Sequence, residues 1–112
     1  MESATVVTDV KSIENTYKEV AHFVSLALSV NPNTKTEGYL EEAWKLIETL
    51  PDKDRRGFRY TYPEIYDAIT IGIKPTFIEA IKDELSELVL TTKEDIESIE
   101  KDVEENDRQA TS

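Results

Sequence analysis

Residues 10–30, with the sequence VKSIENTYKEVAHFVSLALSV, decide the fold class of the chain. Apolar side chains recur in this stretch at steps of three and four residues, which places them on one face of an α-helix. The stripe consists of Val10, Ile13, Tyr17, Val20, Val24 and Leu28. Asn31-Pro32-Asn33 then ends the helix, because proline cannot continue it and disfavours helical geometry in the residue before it.

The same periodicity runs through most of the remaining chain, with prolines near the boundaries. One apolar stripe covers residues 37–50, and two others follow Pro63 and Pro75, where Thr-x-x-Glu patterns favour the start of a helix. Residues 76–104 form either one helix or two helices with a break at Thr91-Thr92.

One segment in the middle of the chain deviates from this pattern. The charged residues 52–57 predict a loop, and Phe58, Tyr60 and Tyr62 then alternate with polar residues. An alternation with a period of two is typical of extended backbone. The sequence therefore predicts an all-α fold, a small bundle of four to five helices with a short extended segment near residues 58–62.

The length of 112 residues suits a single domain with one small core. Residues 1–8 are small and polar, so we expect a flexible N-terminus followed by a single helical domain over residues 9–104. Residues 105–112 contain no apolar side chain larger than alanine, and such a segment cannot offset its ordering entropy. We therefore expect them to form a disordered acidic and polar tail.

Several classes of function lack their sequence signature. Without cysteine the chain can form neither a disulfide nor a thiolate metal site, and its one histidine, His22, has no nucleophile or orienting carboxylate at a recognised spacing. No phosphate-binding loop, nucleophile elbow, dinucleotide fingerprint or zinc-helix motif occurs. We therefore predict a protein that is not an enzyme and uses no cofactor or metal.

The net charge of −11 bears on partners and location. Such a charge repels nucleic acid and anionic membranes and attracts basic proteins. No apolar run is long enough to cross a bilayer, and the N-terminal sequence lacks the basic and apolar regions of a signal peptide. We therefore expect no membrane association, and a cytoplasmic location in a cell or in an infected host.

The negative charge is concentrated in the C-terminal third, since residues 83–108 contain eleven acidic and three basic residues. A solvated helix surface, a helix for association and a surface that imitates a phosphate backbone all fit this composition. If the segment is a contact surface for a basic protein, its candidate residues are Glu94, Glu97, Glu100 and Glu104.

A second candidate surface is the arginine-rich segment, in which basic and aromatic residues interleave. Its candidate contact residues are Arg55, Arg56, Arg59 and Tyr60. Arginine beside exposed aromatic rings is typical of contacts with proteins or with single-stranded nucleic acid. In the alternative interpretation the aromatic rings belong to the core and the arginines pair with nearby aspartates.

A third candidate surface lies on the first helix, where Phe23, Leu26 and Val30 point away from the main apolar stripe. A helix that is apolar nearly all round is either central in the core or covered by a partner. A weak homodimer through this strip is the corresponding hypothesis, because a twofold contact lets the strip meet its own copy.

The order of elements around residues 50–63 resembles a known family. Leu50-Pro51 ends one helix, and the Tyr-x-Tyr-Pro stretch at residues 60–63 precedes the next. This order resembles that of small acidic bacterial immunity proteins, which bind basic nuclease toxins. Arginines stand here where those families have an acidic cluster, so the resemblance implies only that this size, charge and helix order suit an inhibitor.

The leading hypothesis is an acidic, non-enzymatic protein-interaction module that binds a basic protein surface. Its role would be that of an inhibitor, immunity or anti-host factor of microbial or viral origin. Two other hypotheses remain: a self-associating structural subunit, and a nucleic-acid binder that uses the arginine and tyrosine residues of the segment 53–62.

Overall fold

The computed structural model describes residues 10–30 and 34–111. Within these residues the chain is all-α, which confirms the predicted fold class, but it contains six α-helices where four to five were predicted. They are α1 (Val10–Val30), α2 (Thr34–Glu48), α3 (Asp52–Thr61), α4 (Pro63–Thr70), α5 (Ile78–Leu88) and α6 (Lys93–Thr111), and a single 3-10 turn (Pro75–Phe77) precedes α5. The predicted flexible N-terminus, residues 1–8, lies outside the described residues.

Helix α1 is the centre of the packing. Its predicted stripe is largely buried, and Ile13, Tyr17 and Val24 are among its members with no more than 1% of their surface exposed. α2 packs along α1, and α5 and α6 contact α1 as well. The 3.6-residue periodicity of residues 10–30 therefore decides which face of the chain becomes the core.

The predicted extended segment at residues 58–62 is wrong, because α3 is helical from Asp52 to Thr61. The negative charge of Asp52 in the first turn interacts favourably with the positive end of the helix dipole. Phe58 and Tyr62 are four residues apart, so both rings reach the same buried side, whereas Tyr60 is 68% exposed. Phe58 and Tyr62 thus form a pair at helical spacing, although the alternation of aromatic residues suggests a strand.

Three aromatic rings hold α3 against α1. The ring of Tyr17 lies edge-on to Phe58 with centroids 5.1 Å apart, and it meets Tyr62 at 6.5 Å. Phe58 and Tyr62 also contact each other at 5.4 Å. Such pairs contribute about 0.5–1.5 kcal/mol each beyond their apolar burial.

A carboxylate from a distant helix caps α4. Pro63 occupies its first turn, and the backbone N–H groups of Glu64 and Ile65 donate to Glu84 of α5 at 3.2 and 3.0 Å. These N–H groups have no partner within the helix, so the carboxylate accepts their hydrogen bonds. Its negative charge also interacts favourably with the positive end of the helix dipole. This capping also fixes α5 against the start of α4.

Residues 76–104 form two helices rather than one, and the break lies at Thr91-Thr92. Thr92 and Asp95 bond reciprocally, each side chain accepting from the other's backbone N–H at 3.2 and 3.0 Å, which starts α6. Thr91 is buried and bonds the hydroxyl of Tyr62 at 2.7 Å. α6 then continues to Thr111, so residues 105–111 are helical where composition predicted a disordered tail.

Candidate interaction surfaces

The interface between α3 and α6 depends on a glycine. Gly57 is buried, and a Cβ atom at this position would overlap Cγ2 of Ile99 and lie 3.5 Å from Cγ2 of Val103. The absence of a side chain therefore lets the two helices approach closely. Val103 is 4% exposed, so the buried face of α6 packs against this glycine.

Ion pairs flank this close contact. Nζ of Lys53 donates to Glu104 at 2.6 Å, and the guanidinium of Arg56 donates two hydrogen bonds to the carboxylate of Asp107, at 2.7 and 2.9 Å. These hydrogen bonds lower the pKa of Glu104 and of Asp107 below their usual values. Two predicted contact residues, Arg56 and Glu104, are thus engaged within the chain.

A buried carboxyl group lies between the same helices. Asp54 is 2% exposed, and the backbone carbonyl of this residue accepts a hydrogen bond from the Tyr17 hydroxyl at 3.3 Å. Burial, and then the hydrogen bond and the charge of Glu100 on α6, raise the pKa of Asp54 to about 7. Oδ1 of Asp54 has no hydrogen-bond partner among the described residues. Glu100 is half-buried here, so it is not part of the outer face of α6.

The other residues of the arginine-rich segment have different environments. Arg55 is half-buried and pairs with Asp52 at 3.1 Å. Arg59 lies over the ring of Tyr66, 5.6 Å from its centroid, beside the exposed Tyr60. A groove of about 910 Å³ brings together Arg56, Arg59, Tyr60, Pro63, Asp67, Val103, Asn106 and Asp107. The predicted arginine and tyrosine residues therefore share a surface, which also contains acidic side chains.

The apolar strip of α1 is partly covered within the chain. Phe23, Leu26 and Val30 are all half-buried, and the ring of Phe23 meets Tyr39 of α2 with centroids 6.4 Å apart. His22 is exposed, and its ring lies edge-on to Phe23 at 5.6 Å. The strip is therefore not a free apolar surface along its whole length.

The outer face of α6 is acidic and exposed. Among the predicted residues, Glu94 and Glu97 lie on it, and Asp102 and Glu105 are exposed as well. Ile96 and Val103 hold the opposite face of the helix in the core. The burial of those two residues thus directs these carboxylates towards solvent.

Sequence reasoning missed a groove between α2 and the end of α4, which we call the Trp44 groove. It has a volume of about 670 Å³ and is lined by Glu37, Gly38, Leu40, Glu41, Trp44 and residues 69–72. Trp44, which shares an apolar stripe with Leu40, is half-buried and lies edge-on to Tyr66 at 6.0 Å. Ile71, just after the last residue of α4, is 66% exposed at the groove.

The described residues contain neither a cluster that could hold a metal ion nor a helix that could span a membrane. No group of three or more histidine, cysteine, aspartate or glutamate side chains in residues 10–30 and 34–111 could hold a metal ion. In the same part of the chain, every helix is too short or too polar to cross a membrane. No protein-family model, curated protein or solved structure matches the chain.

Removal of residues 105–112 is expected to change the melting temperature by less than about 3 °C. The residues from Glu105 to Arg108 are exposed, and the lost Arg56–Asp107 pair is a surface pair that water and salt screen. Thermal denaturation followed by circular dichroism measures the change. A fall of more than about 8 °C would show that this end of α6 stabilises the fold substantially.

Proposed function

We propose that the chain is a non-enzymatic interaction module that binds a basic protein, with the exposed acidic residues of α6 as its main contact. The carrying observation is the division of α6 into two faces. Ile96 and Val103 attach one face to the core, while Glu94, Glu97 and Glu105 are exposed on a helix that its neighbours hold in place. The backbone that carries these charges is already ordered, so binding a partner costs less entropy than it would for an unfolded acidic segment.

The charge of the whole chain supports a basic partner. A net charge of −11 on 112 residues creates a field that speeds the approach of positively charged surfaces and repels anionic ones. An inhibitor, immunity or anti-host factor in the cytoplasm of a cell or of an infected host would work in this way. Identification of the partner would test that role.

Two observations disfavour the competing functions. Lys53 and Arg56 already bond to carboxylates of α6, and the groove beside Arg59 contains Asp67 and Asp107. A phosphate backbone would have to displace these acidic groups. Self-association through α1 is less favoured as well, because Phe23 packs on Tyr39 within the chain.

The proposal predicts salt-sensitive capture of basic proteins from a cell lysate. The immobilised wild-type chain should retain proteins of high isoelectric point at about 0.15 M salt and release them at about 1 M, where the screening length falls from about 8 Å to 3 Å. A variant with Glu94→Gln, Glu97→Gln and Glu105→Gln should retain much less. Mass spectrometry of the retained proteins gives the comparison.

The matched control is a variant with Glu19→Gln, Glu48→Gln and Asp83→Asn, three exposed acids outside α6. Its net charge equals that of the α6 variant, so it should retain the same proteins as wild type if position matters. Equal retention by all three chains, or retention of mainly acidic proteins, would contradict the proposal.

A further inference from the structure

The Trp44 groove combines an apolar floor with an acidic rim. Leu40, Trp44 and Ile69 form the floor, and Glu37 and Glu41, one helical turn apart on α2, form the rim. Both glutamates are exposed, and the described lining of this groove contains no lysine or arginine. A ligand that places an apolar side chain in the groove and a lysine or arginine side chain beside it would therefore interact favourably with both glutamates.

The groove continues into a second, smaller cavity at Ile71 and Gly72, which line both. This cavity, of about 50 Å³, reaches Ile81 and the side chain of Phe77, which is 45% exposed. Glu64 and Asp67 line it together with one basic residue, Lys74. The two cavities thus adjoin at Ile71 and Gly72, and carboxylate side chains outnumber basic ones along their described lining.

Two glycines line the Trp44 groove, Gly38 on α2 and Gly72 where the second cavity adjoins it. Gly38 is in the interior of α2, where glycine is unfavourable, and a Cβ atom there would meet nothing within 4 Å. Gly72 has a φ of 121°, a left-handed value that lets the chain turn directly after α4 and leaves Ile71 exposed. The open space at Gly38 is therefore a feature of the groove and not of the core.

We propose that the Trp44 groove binds a basic amphipathic segment of the partner protein, with an apolar side chain on Trp44 and lysine or arginine side chains against Glu37 and Glu41. This inference rests on the proposed function and names the part of the basic partner that makes the apolar contact. Charge complementarity selects this occupant, because every carboxylate on the rim favours a cation beside the buried apolar group.

The experiment uses a synthetic amphipathic helical peptide of lysine and leucine with a fluorescent label. Trp44 is the one tryptophan of the chain, so its emission reports occupancy of the groove, while the label's anisotropy reports binding independently. We expect saturable binding that shifts the Trp44 emission. A lysine and serine peptide should bind at least tenfold more weakly, and a glutamate and leucine peptide should not bind.

Variants at Gly38 separate occlusion from loss of fold. Gly38→Leu adds a large side chain at the lining of the groove and should weaken peptide binding at least tenfold. Its melting temperature should be at or above that of wild type, because a helix-interior glycine is removed. Glu48→Gln, at an exposed position of α2 outside the lining of the groove, should bind within twofold of wild type. Glu37→Gln with Glu41→Gln should weaken binding severalfold.

Several results would overturn the inference. Unchanged affinity for Gly38→Leu, equal binding of the lysine and serine peptide, or the absence of saturable binding would each exclude the groove as the site. Weakening by the α6 triple variant alone would place the peptide on α6, so the proposed function would stand without the groove. A Trp44 emission that depends on protein concentration without peptide would make a second copy the occupant.

Discussion

Gly57→Leu is expected to lower the free energy of unfolding by about 3 kcal/mol or more, because the buried glycine lies where α3 and α6 approach closely. A side chain at this position must displace Ile99 and Val103, because even its Cβ atom overlaps the Ile99 methyl. α6 would then move away from α3, and the apolar contact and the flanking ion pairs would be lost together. Urea denaturation followed by circular dichroism measures the shift in midpoint.

The matched control is Gly38→Leu, the same substitution inside another helix with open space around the glycine. It should raise the free energy of unfolding by up to about 1 kcal/mol through helix propensity. Gly57→Ala should be destabilising in spite of the same propensity gain, and Ile99→Ala should recover part of that loss, since the two substitutions are coupled. A Gly57→Leu variant that unfolds at the wild-type midpoint would contradict the close packing of α3 and α6.

Asp54→Asn is expected to remove a large part of the pH dependence of stability between pH 4 and pH 8. An unfolded aspartate titrates near 3.9, whereas burial and then Glu100 raise the pKa of Asp54 in the folded chain to about 7. The folded state therefore holds a proton that the unfolded state releases. This contribution to stability is complete below about pH 4 and is lost as the pH rises through about 7.

The loss approaches at most about 1.4 kcal/mol per pH unit for one proton. The difference between wild type and Asp54→Asn should therefore widen from pH 5 to pH 8 in favour of the variant, whose amide stays neutral. Lys53, Tyr17 and Glu100 surround the site, and the charge of Lys53 opposes the effect. Glu100→Gln should keep part of the pH dependence, because burial is the larger cause. Parallel stability profiles of wild type and Asp54→Asn would contradict the buried carboxyl.

The all-α class could be predicted because the apolar stripe of α1 is long and regular. The helix α3 could not, because its charged first turn and alternating aromatic residues resemble a loop and a strand. The close approach at Gly57 leaves no local signal, since Ile99 lies more than forty residues away in sequence. The composition of residues 105–111 does not predict a helix. The hydrogen bond between Arg56 and Asp107 joins residues 51 positions apart in sequence, so it also leaves no local signal.

The candidate surfaces could be predicted only in part, again because contacts between residues distant in sequence decide which side chains are exposed. Glu94 and Glu97 are exposed as a polar helix face implies, but Glu100 is half-buried and lies close enough to Asp54 of α3 to raise its pKa. The Trp44 groove was missed since Trp44 lies on an apolar stripe, which predicts burial. Its opening depends on where α4 ends and on the missing side chain of Gly38, and neither follows from periodicity.

The most direct test of binding through α6 is the dissociation constant of a captured basic protein, measured against ionic strength for wild type and both triple variants. We expect the wild-type dissociation constant to rise at least tenfold between about 0.15 M and 1 M salt. The variant at Glu94, Glu97 and Glu105 should bind more weakly and depend less on salt, and the control should behave like wild type. An affinity that does not change with salt and is equal in all three chains would contradict binding through α6.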